Sequence, residues 1–111
     1  MHHDKVNPEV SLELGGKERK LVFDFWAFSE AERLTGKNYL SDGILNKPGF
    51  GEIMHLIWAG LQATEPNMMP KDVGRLMKVQ ETDKYLEAIV AGIQKAQSEN
   101  NDEEAPKEKK D

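Results

Sequence analysis

One switch of hydrophobic period constrains this chain more than any other feature. Val10, Leu12 and Leu14 alternate with Ser11 and Glu13, and Leu21, Phe23 and Phe25 alternate with Val22 and Asp24. Period two places one set of side chains on one face of a strand. Near Trp26 the spacing changes to that of a helix, and period two does not return. Two strands followed only by helices predict an α+β fold, with an N-terminal β-hairpin packed against a bundle of about four helices.

The turn between the strands falls at Gly15-Gly16-Lys17-Glu18, where glycines tolerate positive φ. A four-residue turn sets Leu14 opposite Arg19, Leu12 opposite Leu21 and Val10 opposite Phe23. All the large apolar groups then share one face. A lone hairpin is marginal in water, so the helices must cover that face.

The helical spacings are legible one by one. Ala27, Phe28, Ala31 and Leu34 form a first stripe, which Gly36 is placed to end in a left-handed conformation. Residues 38–51 read as a loop, with a short turn around Ile44 and Leu45. Phe50, Ile53, Met54, Ile57, Trp58 and Leu61 form the strongest stripe, and Leu56 and Ala59 widen it, so this helix is expected to be buried on more than one side. Pro70 suits a first helical turn. Val73, Leu76 and Met77 follow it as a short helix. Thr82 is the expected N-cap of a last helix with a stripe of Tyr85, Leu86, Ile89, Val90 and Ile93.

Domain limits follow from the same pass. Residues 1–98 form one domain, with 1–8 as a loose lead-in. After Ser98 no large apolar residue remains, and residues 99–111 carry six acids and three bases. That composition cannot bury enough surface to offset ordering, so a disordered charged tail is expected. The chain carries a net charge of −5 and shows no basic stretch, which argues against nucleic acid as a partner. No segment reaches the roughly 20 apolar residues of a membrane span. Cysteine is absent, and a cytoplasmic protein is the expectation.

A search for catalytic chemistry fails. His55 lies in the most apolar helix, far from any acidic cluster, and reads as a packed or rim residue. No helical His-x-x-x-His spacing exists. Met1-His2-His3 offers nitrogens that could wrap Cu(II) or Ni(II), but a terminus that picks up metal by accident is the reading taken. Pro48-Gly49-Phe50-Gly51 matches no phosphate-binding glycine motif. Glu30 and Glu32 are two apart and do not face one another on a helix, and no serine or threonine has a histidine placed to activate it. The expectation is a protein that is not an enzyme and holds no cofactor.

Two residue types point to packing and binding instead. Gly60, Gly74 and Gly92 fall inside helices at a cost of roughly 1 kcal/mol each against alanine. Close approach of another backbone or side chain explains such a cost, with internal packing favoured over a partner helix. Methionine adapts to varied apolar partners. Met54 reads as core. Met68 and Met69, in a loop bounded by Pro66 and Pro70, read with Trp58 as a candidate partner-binding surface.

The order of features resembles the tail assembly chaperones of long-tailed bacteriophages and their relatives in gene transfer agents. The resemblance spans about Val10 to Met77. It rests on the Gly-Gly-Lys-Glu hairpin, Leu21-Val22-Phe23-Asp24-Phe25, Glu32-Arg33-Leu34-Thr35-Gly36, Leu56-Ile57-Trp58-Ala59-Gly60-Leu61 and Pro70-Lys71-Asp72-Val73-Gly74-Arg75-Leu76. Met69 departs from it, since such proteins often carry a capping threonine before the proline. The resemblance implies a non-catalytic protein that binds the tape measure protein, keeps it soluble, and helps tail tube protein subunits polymerise around it. Homo-oligomerisation is compatible with this role. The alternative is a small regulatory module that masks a transcription factor.

Overall fold

A computed structural model describes residues 9–37, 46 and 48–108, with side chains to Ser98. The lead-in, the Met1-His2-His3 terminus and the turn expected at Ile44 and Leu45 lie outside the described residues. Strands β1 (Glu9–Leu14) and β2 (Lys17–Val22) form an antiparallel hairpin. Helices α1 (Phe25–Thr35), α2 (Phe50–Leu61), α3 (Pro70–Leu76) and α4 (Thr82–Glu108) follow. The fold is α+β, a hairpin packed against four helices.

The hairpin register differs from the expected one. Gly15 and Gly16 have φ of 66° and 77°, so the turn closes on two residues. Leu14 pairs with Lys17, Leu12 with Arg19 and Val10 with Leu21. The shift is by two residues, which preserves the faces. Leu12, Leu14 and Leu21 remain buried, but Arg19 takes the central position on the core face and Phe23 falls beyond the last pair.

Beyond β2 the alternation no longer governs. Phe25, expected in the strand, is the first residue of α1 and 90% exposed. The cause is Asp24, whose extended backbone and carboxylate cap the helix, accepting the Ala27 N–H at 2.9 Å. α1 buries Ala27 and Ala31 and ends at Gly36, which is left-handed as expected.

Phe23 is buried against two helix glycines. A Cβ at Gly60 would lie 2.9 Å from its ring, and a Cβ at Gly92 would collide with the ring outright. Gly74 plays the same part for Met54, whose sulfur would lie 2.5 Å from an added Cβ. Gly60, Gly74 and Gly92 therefore serve internal packing.

α2 is the centre of the core. Leu56 to Leu61 are buried without a break, because β2, α1, α3 and α4 all pack around this helix. Its start is fixed by Glu52, which accepts the Gly49 N–H at 2.6 Å and pairs with Lys37 at 2.7 Å. In α3 the carboxylate of Asp72 reaches back to accept the Met69 N–H at 2.9 Å, one half of a capping box, while Met69 itself makes no side-chain cap. Thr82 is not the expected N-cap. A 3-10 turn, Val79–Glu81, precedes it, and its hydroxyl donates back to the Val79 carbonyl at 2.6 Å. α4 buries Tyr85, Ala88, Ile89, Gly92 and Ile93, whereas Val90 points off this face and is exposed. Ile93 is the last buried residue among those described in α4. The backbone continues as helix to Glu108, and the side chains of the segment expected to be a disordered tail lie outside the described residues.

This packing sets opposite expectations for two glycines. Gly92→Ala should lower stability by about 1–3 kcal/mol despite its better helix propensity, because the methyl collides with Phe23. Gly51→Ala, where nothing lies within 4 Å of the added Cβ, should raise it by up to about 1 kcal/mol. Urea titrations of the two variants check the pair. The carboxyl of Glu52 is held below its ordinary range by the Lys37 hydrogen bond, and the Gly49 N–H adds to this. Its contribution is therefore complete above the ordinary carboxylate pKa and lost as pH falls through the lowered value. Glu52→Gln should flatten the acid limb of a Tm-against-pH profile below about pH 4.5.

Candidate partner-binding surface

The three residues expected to form a docking surface meet in the structure, but only one of them lies open. Trp58 is 6% exposed. This corrects the expectation that it faces a partner. Its indole N–H donates to the Met68 carbonyl at 2.8 Å, so it holds the loop from beneath. Met68 is half-buried against the core. Met69 alone projects, at 61% exposure.

The loop is fixed from a second side by Arg19. Placed on the core face by the two-residue turn, this side chain donates from Nε to the Leu14 carbonyl at 2.9 Å. Its Nη1 pairs with the Glu65 carboxylate and contacts the Met68 sulfur at 3.8 Å. Thr64 adds a bond from its hydroxyl to the Lys20 carbonyl at 2.9 Å. A loop held at Thr64, Glu65 and Met68 has little freedom to adapt to a partner.

A second apolar concavity lies away from this loop. A groove of about 210 Å³ opens between the N-terminal half of α2, the end of α3 and the start of α4. Phe50, Met54, Met77 and Val79 line it, with Tyr85 behind them. Phe50 is 69% exposed and Val79 74% exposed. Met54 and Met77, both half-buried, bring to this groove the adaptable surface that the sequence suggests at Met68 and Met69. Gly74 makes the geometry possible, since any side chain there would displace Met54. The Tyr85 hydroxyl accepts the Lys78 N–H at 2.6 Å, so the backbone at the groove wall is already satisfied.

Phe50 and Met54 are visible in sequence as one turn of the α2 stripe. Val79 carries no such signal, since it stands outside any periodic run and its exposure depends on the 3-10 turn.

His55 is bound through Nδ1 to the Gly51 carbonyl at 2.7 Å. Among the described residues, no three His, Cys, Asp or Glu side chains converge as a metal ion would need. No helix among them is long and apolar enough to cross a membrane.

Trp58→Phe leaves the Met68 carbonyl without its partner. It should cost about 1–3 kcal/mol and speed exchange of the Met68 amide, which donates to Glu65 at 3.2 Å. Native-state hydrogen exchange read by NMR checks both. Comparison with known proteins identifies no relative: no family model matches the chain, and no curated protein or solved structure matches it.

Proposed function

We propose that this protein is a non-catalytic tail assembly chaperone that binds the tape measure protein and assists polymerisation of the tail tube around it. The observation that carries the reading is the open apolar groove between Phe50 and Val79, floored by Met54 and Met77. The motif order from the hairpin to Leu76 supports it from the sequence side. A long helical partner exposes repeated apolar stripes before the tube covers it and aggregates alone. A groove lined by methionines accepts such stripes without demanding one shape. Binding at any one groove is moderate, so that tube subunits can displace the chaperone, and several copies on one partner compensate through avidity. In this reading the protein acts in the cytoplasm of the host cell.

Co-expression tests the proposal. The tape measure protein should be soluble with this chain and insoluble without it. Phe50→Glu with Val79→Asp should abolish the rescue while the melting temperature holds, since both side chains are exposed. Met69→Asp should leave it intact. The reverse pattern would move binding to the loop, and no rescue by the unaltered chain would remove the function.

A further inference from the structure

We propose that β1 pairs edge to edge with β1 of a second copy of this chain, in an antiparallel register centred on Leu12. This edge lies apart from the groove, so the pairing stands or falls without it.

The hairpin turn determines which backbone groups point outward. A turn closed on two residues makes Leu14 and Lys17 a hydrogen-bonded pair. Bonded and unbonded pairs alternate along the ladder, so Leu12 and Val10 turn their N–H and C=O toward β2, while Glu9, Ser11 and Glu13 turn theirs away. Two outward carbonyls are engaged as this alternation requires. Glu9 C=O accepts Lys95 Nζ at 2.9 Å, and on the opposite edge Lys20 C=O accepts the Thr64 hydroxyl at 2.9 Å. The outward N–H and C=O of Ser11 and Glu13 have no partner among the described residues. Unpaired edge groups of this kind are a template for another strand.

There is room for that strand. An open hollow of about 360 Å³ runs along the edge, lined by Val10 to Glu13 on one side and by Lys84, Glu87, Ala88 and Ala91 of α4 on the other. The α4 residues lie three and four apart and share one side of the helix. Alanine at 88 and 91 keeps α4 from filling the space beside β1.

Self-complementarity selects the occupant. Two copies related by a two-fold axis meet with antiparallel edges. The free groups of Ser11 and Glu13 are symmetric about Leu12. In a register centred there, Ser11 of each copy bonds Glu13 of the other, and every one of these groups is satisfied. Leu12 then lies opposite Leu12 and Val10 opposite Leu14, apolar against apolar. Glu9 falls opposite Gly15, where its carbonyl, already held by Lys95, has no bond to make. A register centred on Ser11 instead sets Glu9 opposite Glu13 at both ends, and like charges directly opposite are destabilising.

Sedimentation of the full chain from micromolar to millimolar concentration should show monomer passing to dimer. Over the same range, exchange of the Ser11 and Glu13 amides should slow by about tenfold or more, while the Glu18 amide on the β2 edge keeps its rate. Ser11→Lys sets opposite charges across the junction twice and should tighten the dimer by roughly three- to tenfold. Ser11→Glu sets like charges there and should weaken it by a similar factor. Position 11 is exposed, and circular dichroism confirms that both variants are folded. A chain monomeric throughout would overturn the proposal, as would a dimer in which both amides exchange at the monomer's rate. So would weakening by both charge variants, the mark of a register centred on Ser11. Protection independent of concentration would give the edge to a segment of the same chain, and protection seen only with added tape measure protein would give it to that partner; either result overturns the pairing. The exchange readings use the unaltered chain and decide even where a variant misfolds.

Discussion

The Phe23 ring, seated against Gly60 of α2 and Gly92 of α4, is the contact on which the rest of the structure depends. It belongs to neither strand nor helix. It occupies the two-residue step between the last hairpin pair and the first residue of α1, just before the Asp24 cap. Because it reaches both α2 and α4, it fixes where the hairpin lies relative to the helices. Two glycines accept their helix-propensity cost to admit one aromatic side chain. Packing of this kind tolerates little change of volume, so the seat is specific to a flat ring.

Much of this architecture is legible in the sequence alone. The α2 stripe, the Gly36 terminator, Pro70 in the first turn of α3 and the internal use of the helix glycines all rest on local periodicity or local backbone preference. The departures have local causes too. The register slips by two because Gly-Gly closes a tighter turn than a four-residue loop. Phe25 leaves the strand because the alternation runs one step past a capping aspartate. Val90 leaves the α4 stripe because the buried face runs through Ala88 and Gly92.

The binding surface is less legible, for a physical reason. Trp58, Met68 and Met69 group together by residue type and by a proline-bounded loop, yet burial depends on what sits underneath. Arg19 and the Trp58 indole tie that loop down, and neither bond follows from spacing in sequence. The groove instead assembles Phe50, Met77 and Val79 from three separate segments. Only the packing of α3 across Gly74 brings them together.

The contrast between the two tryptophans has an optical consequence. Trp58 is enclosed and hydrogen-bonded, whereas Trp26 stands exposed at the start of α1, and the chain has no others. Their emission divides into a blue-shifted component from the interior and a red-shifted, quencher-accessible one from the surface. One cuvette measurement on the unlabelled chain thus separates loss of the core from events at the first helix.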